Sequence, residues 1–131
     1  MLPPESFYVL HEAGNAFIYG QYVATVMLSQ AFMEHILQIH LQNRNATAIA
    51  RKGLGAIVKY MREREPSHKF VIQKVDAVRR FRNPFTHLRD SDDPDTLMQR
   101  VRVTATNPDK VLEDEAKKAL AVMYQVAMTR F

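Results

Sequence analysis

RNPFTH, residues 82–87, interrupts a helical pattern at a proline. Upstream of it Val71, Val75, Val78 and Phe81 recur at spacings of three and four, the period of a helix with one apolar face. Lys74, Arg79 and Arg80 fall on its other sides. Pro84 cannot donate to the carbonyl of Arg80 and its ring clashes there, so a helix over about 67–82 must end or kink at this point. Asn83-Pro84 reads as a stop followed by a restart, because asparagine is a favoured N-cap and proline is pre-set for the first helical position. The same punctuation recurs at Asp93-Pro94 and Asn107-Pro108. Asp95 and Asp109 then fall in first turns, where the helix dipole favours a carboxylate. Ser67, after Pro66, is a fourth candidate cap.

The rest of the chain reads outward from this corner. Residues 12–42 form one long segment, with Tyr22, Val26, Met33, Ile36, Leu37 and Leu41 as a stripe. Phe17, Ile18, Val23, Met27, Leu28 and Phe32 widen that stripe almost all round, which predicts a central, buried helix with a bend at Gly14 or Gly20. A second helix is expected over 46–65, carrying Ile49, Leu54, Ile57, Val58 and Met61, with Gly53 and Gly55 weakening it or allowing close packing. A short helix or turn follows from Pro84, and another begins at Pro94 with Leu97, Met98 and Val101. The last helix spans about 108–130, with Leu112, Ala116, Ala119, Leu120, Met123, Val126 and Ala127 facing inward. VRVTAT, 101–106, alternates and is β-branched. It reads as a helix end running into an extended connection, with pairing to its copy in a dimer as the alternative. The sum is an all-α fold: one domain over residues 1–131, a bundle of four long helices plus one or two short ones.

Composition bounds the function. A chain of 131 residues, 47% apolar and 24% charged, buries a core without a staple. The absence of cysteine excludes disulfides, thiolate metal sites and a cysteine nucleophile, and fits a reducing cytoplasm. MLPPESFYVLHEAGN has no basic region ahead of an apolar one and carries Glu5 and Glu12, so no secretory leader is expected. Gln30, Glu34 and Gln38 interrupt the longest apolar stretches, so no membrane span is expected. A net charge of +4 with a pI near 9.5 permits a polyanionic partner such as RNA.

The corner itself carries chemistry. On an uninterrupted helix, positions five apart lie about 140° apart on the wheel and point away from each other. With the break at Pro84, Arg82 closes one helix, Asn83 caps the next, and His87 falls in that helix's first turn. Two side chains flanking such a corner can converge. The dipole at a helix N-terminus disfavours an imidazolium, which suits a general base. An arginine beside it offers planar, bidentate donors to a phosphate, and free helix-end amides add to an anion site. A neutral imidazole and a guanidinium suffice in type for metal-free RNA cleavage. The histidine takes the proton from a ribose 2′-hydroxyl or gives one to the leaving 5′-oxygen, and the arginine stabilises the phosphorane. The plainer alternative is a capped corner, with Arg82 on helix-end carbonyls and His87 on a carboxylate.

RNPFTH resembles the signature of HEPN domains: arginine, a polar residue that is often asparagine, three variable residues, then histidine. YGQYVATVMLSQAFMEHIL, 19–37, resembles that family's long first helix, which often ends with a glutamate in an apolar context. The resemblance runs from about residue 14 to 130. It implies an all-helical homodimer whose two motifs face each other. It also implies a metal-independent endoribonuclease of toxin–antitoxin, defence or RNA-processing systems that leaves 2′,3′-cyclic phosphate and 5′-hydroxyl ends. Arg82 and His87 would be catalytic, with Asn83 supporting them. Members without nuclease activity imply an alternative: a module binding a nucleotide or a partner protein, such as an antitoxin or a nucleotidyltransferase-like protein.

Four further readings surround the motif. Glu34 on the central helix is either a partner that holds Arg82 or an exposed edge position. Arg79, Arg80 and Arg89 concentrate charge that steers an RNA backbone, unless Asp76, Asp90, Asp92 and Asp93 merely balance it. Phe81, just before the motif, and Phe85, within it, read as packing or dimer contacts rather than base-stacking platforms. His35 and His40 are five apart and do not share a face, while His11 and His68 have no partner nearby in sequence, so neither metal nor cofactor is expected. RKGLGAIVK, 51–59, lacks the phosphate-loop pattern and reads as helix.

Overall fold

The computed structural model describes residues 2–131, and among these there is helix and turn but no strand. Its α-helices are α1 (Pro4–Ile18), α2 (Tyr22–Asn43), α3 (Thr47–Ala50), α4 (Leu54–Arg64), α5 (Lys69–Arg79), α6 (Asn83–Thr86), α7 (Leu97–Thr104) and α8 (Pro108–Met128). Two 3₁₀ turns, Pro66–His68 and Arg80–Arg82, flank α5. No helix among the described residues is long and apolar enough to cross a membrane.

α2 is the axis of the bundle. Thr25, Val26, Ser29, Gln30, Phe32, Met33, Ile36, Leu37, His40 and Leu41 are all buried on it, so it is covered from several sides. α1 returns antiparallel along one side, and α8 runs parallel along another, where Ala116 and Ala119 meet Val26. α4 and α5 form an antiparallel pair closing the remaining side. Their Ile57, Met61, Ile72 and Val75 meet Phe32, Met33, Leu37 and Met123 in the main core.

The predicted 12–42 helix is two helices. The first starts at Pro4, and Tyr19–Gln21 turns the chain back on itself with Gly20 at φ +73°, a conformation open to glycine and costly for other residues. The predicted 46–65 helix likewise splits, because Gly53 adopts φ +98° between α3 and α4. Gly20 therefore ends a helix rather than bending it, and Gly53 separates two helices rather than weakening one. Ser67 lies inside a 3₁₀ turn and caps nothing. VRVTAT is helical through Thr104 and then turns left-handed at Ala105, φ 52°. Its β-branched residues are tolerated because every one of them remains at least partly open to solvent.

The last helix follows expectation. Asn107 Oδ1 accepts from the Lys110 N–H at 2.8 Å, Pro108 opens α8, and Asp109 stands in the first turn. Its buried face is Val111, Glu115, Ala116, Ala119, Val122, Met123 and Val126. Leu112 and Leu120 are only partly covered and Ala127 is exposed.

Candidate functional site

The corner at 82–87 differs from its expected geometry. α5 does not stop and restart; its last turn tightens into the 3₁₀ turn Arg80–Arg82 and flows directly into α6. With Pro84 unable to donate, the tighter turn is the local answer to the orphaned carbonyls. Asn83 is itself helical, φ −52° and ψ −46°, and makes no capping bond. α6 has only four residues, so His87 follows its end in extended conformation, φ −137° and ψ 133°. The histidine is therefore at a helix C-terminus, and the expected N-terminal dipole does not act on it. Its backbone N–H donates to the Asn83 carbonyl at 3.0 Å. The Thr86 hydroxyl lies 3.3 and 3.4 Å from the Arg82 and Asn83 carbonyl oxygens, which accept from it.

Arg82 turns inward, toward α2. Its Nη1 is 3.8 Å from Glu34 Oε2, an ion-pair distance longer than a hydrogen bond. Glu34 is thus the partner of Arg82 and not an idle edge residue. Gln38, one turn further along α2, spans Glu34 Oε1 at 3.5 Å and the Ala50 carbonyl at 3.2 Å. One turn earlier, the buried Gln30 donates from Nε2 to the Val78 carbonyl at 2.5 Å. α2 therefore grips the end of α5 at two points, one backbone and one side chain.

Asn83 supports the corner from the other side. Its Nδ2 donates to Asp95 Oδ2 at 3.2 Å. Arg100 of α7 donates to the Asp95 backbone carbonyl and pairs with Glu115 of α8, Nε–Oε2 2.5 Å and Nη2–Oε1 2.8 Å. The loop after His87 is tied to α8 through this polar chain. Burial pushes the Glu115 carboxyl above its ordinary value, against the Arg100 hydrogen bond that lowers it. Thr96, not Asp93, caps α7, its hydroxyl accepting from the Gln99 N–H at 3.4 Å. The Asp93 carboxylate instead accepts from the Asp95 N–H at 2.8 Å, a local turn.

The imidazole of His87 is exposed and has no hydrogen bond or ion pair among the described residues. No bond joins Arg82 to His87 within the chain; α6 stands between them. Arg89 pairs with Asp93 at 3.5 Å, and Arg79 with Asp76 at 2.5 Å. Two of the expected RNA-contacting arginines therefore carry a carboxylate partner. Arg80 is exposed and has none among the described residues.

The chain matches no protein-family model, no curated protein and no solved structure.

Sequence reasoning missed Gln30, Asp95, Arg100 and Glu115. The spacing of Gln30 and Glu34, one turn apart on an otherwise apolar helix, was the available signal. It also missed a second polar cluster. His40 Nε2 lies 2.7 and 3.0 Å from the Glu65 carboxylate oxygens and His68 Nε2 lies 3.9 Å from it, with the Phe131 ring against both imidazoles. Among the described residues no group of three His, Cys, Asp or Glu is disposed to hold a metal ion.

Proposed function

We propose that the chain is a HEPN-type endoribonuclease that cuts RNA without a metal, leaving 2′,3′-cyclic phosphate and 5′-hydroxyl ends. The observation that carries this reading is the pairing of Arg82 with Glu34 of the central helix, five residues before a His87 that has no partner among the described residues and is open to solvent. An arginine held by a carboxylate on one side keeps other N–H donors for a phosphate. A solvent-facing imidazole is available to a ribose hydroxyl.

In the reaction, His87 takes the 2′-hydroxyl proton or returns one to the departing 5′-oxygen. The 2′-oxygen attacks phosphorus, the P–O5′ bond breaks, and Arg82 stabilises the charge on the phosphorane. The active species on this reading is a homodimer in which the two motifs face one another across a shared cleft, as the resemblance to HEPN domains implies. The setting is cytoplasmic, in a toxin–antitoxin, defence or RNA-processing system.

A second reading rests on the separation of Arg82 from His87 by α6 within one chain. If the two residues work apart, the corner belongs to a non-catalytic module. The fully exposed Leu88 beside His87 would then contact a partner protein such as an antitoxin or a nucleotidyltransferase-like protein.

The test is incubation of purified protein with total RNA and tRNA in EDTA, beside His87→Ala and Arg82→Ala, with product ends assayed for cyclic phosphate and oligomeric mass measured in parallel. Cutting by the wild type that both variants lose supports the nuclease. Intact RNA beside a folded dimer favours the binding module.

A further inference from the structure

A groove of about 370 Å³ lies between α4 and α5, one turn upstream of the motif. Gly55, Val58, Lys59, Arg62 and Glu63 line it from α4; Asp76, Arg79 and Arg80 line it from α5 and the turn that follows. Four cations thus face two carboxylates. The spacing on each helix explains the convergence, since residues three and four apart share a face and the two helices run antiparallel.

The groove has an internal organiser. Asp76 Oδ2 accepts from Arg62 Nη2 at 2.7 Å and Oδ1 accepts from Arg79 Nε at 2.5 Å. One carboxylate therefore fixes two guanidinium planes, one from each helix. Each guanidinium has five N–H donors, so the greater part of both forks stays free. Burial pushes the Asp76 carboxyl up, but the hydrogen bonds from Arg79 and Arg62 outweigh it and hold the group below its ordinary value. The clamp is thus ionised at neutral pH. The fork lies over the α4 backbone at Gly55, where a Cβ would make an ordinary contact, 3.6 Å, with Arg79 Nη1. Lys59 and Arg80 are exposed at the groove and have no ion pair among the described residues.

Oriented guanidinium forks with a mobile ammonium beside them match the oxygens of a phosphodiester. Arg79 and Arg80 at the groove stand three and two residues before Arg82, so the groove's end and the motif lie within one turn of each other along the chain. We infer that the α4–α5 groove is a phosphodiester-binding subsite that holds the backbone of single-stranded RNA upstream of the Arg82–His87 site. This rests on the proposal that the chain acts on RNA and adds Lys59 and Arg62, from a different helix, to the RNA-contacting set.

The test measures binding apart from cleavage. A short labelled oligoribonucleotide is titrated by fluorescence anisotropy across a range of salt, in a His87→Ala background. Lys59→Gln/Arg80→Gln removes two unpaired charges without disturbing the clamp, and Lys59→Gln/Arg62→Gln/Arg80→Gln also removes one of the two guanidiniums that Asp76 holds. Lys110→Gln/Lys117→Gln, both on α8, is the control for net charge. The groove double variant is expected to weaken binding about tenfold at low salt. Its slope of log affinity against log salt is expected to become shallower by about 0.7 for each phosphate that is no longer neutralised. The triple variant should bind more weakly still, and the α8 control should bind like its parent. Groove variants that bind like the α8 control, or a parent that binds no oligoribonucleotide, overturn the inference. If inorganic phosphate or ATP engages the same residues more tightly than the oligomer, the RNA assignment falls as well. Cleavage by the wild type is scored separately. A nuclease with unaffected groove variants refutes the groove alone, and groove-dependent binding without cleavage refutes the nuclease alone.

Discussion

Glu34→Gln separates positioning from stability. The substitution keeps the size and helix propensity of the side chain and removes only its charge. The Arg82 and Glu34 side chains are 29% and 21% exposed, and their closest atoms are 3.8 Å apart, so this is a partly solvated ion pair without a hydrogen bond. Such pairs contribute about 0.2–1 kcal/mol. In a chain of 131 residues that corresponds to a melting-temperature drop of roughly 1–6 °C. On the proposed nuclease reading the effect on cleavage is larger in proportion, because Glu34 is the one carboxylate holding the Arg82 guanidinium among the described residues. An arginine displaced by about 1 Å can cost about 100-fold in rate. The expected result is a nearly unchanged urea midpoint, a kcat reduced by about ten- to a hundredfold, and a KM that moves little. Glu34→Asp, which restores the charge on a shorter arm, should recover part of the loss. Unchanged cleavage by Glu34→Gln, or a destabilisation above about 3 kcal/mol with normal turnover per folded molecule, would refute the positioning role.

Two other outcomes are expected. Asn107→Ala removes the 2.8 Å cap of α8 and should cost about 1 kcal/mol in urea unfolding, since Pro108 still starts the helix. Glu115, raised by burial, favours the folded state in its protonated form; that contribution is fully present below its ordinary 4.5 and is lost as pH rises through the higher folded value. Wild-type stability should therefore fall relative to Glu115→Gln as pH is raised from about 4.5 toward 7, in paired unfolding curves. A constant difference between the two proteins over that range would contradict the assignment. Asp76, held low, acts in the opposite sense and only below its ordinary 3.8, so it does not confuse the comparison.

How far the fold was legible follows from the range of the forces involved. Asn107-Pro108 was readable because a cap and its helix lie within four residues of each other. The core face of α5 was readable for the same reason, as Val71, Val75 and Val78 are all buried. Gly20 and Gly53 were seen, but whether glycine bends a helix or ends it depends on its φ, which the apolar pattern does not encode. Asn83 misled because a 3₁₀ turn let the chain continue through it, so the same dipeptide that starts α8 lies inside a helical run at the motif. VRVTAT was read as a helix end and is the end of α7 through Thr104, because β-branched residues resist helix only weakly; the left-handed turn at Ala105 was not legible. The Glu34–Arg82 pair spans 48 positions, and sequence offered it only as one of two alternatives. Asp95, Arg100 and Glu115 were not legible at all, because their link to the motif exists only once α7 folds against α8.

From residue 79 through residue 110 no side chain is buried. The motif, the loop after it and α7 are held to the bundle by polar ties: Gln30 to Val78, Glu34 to Arg82, Asn83 to Asp95, Arg100 to Glu115. Apolar burial, which makes the rest of the bundle cooperative, reaches this part of the molecule chiefly through Phe81, partly covered against the core. Amide protons there are expected to exchange through local opening at a fraction of the global unfolding free energy, and a protease is expected to cut this segment before the core. Any ligand that spans this face, protein or RNA, would therefore set the order of the His87 loop as well as occupy it, without touching the bundle beneath.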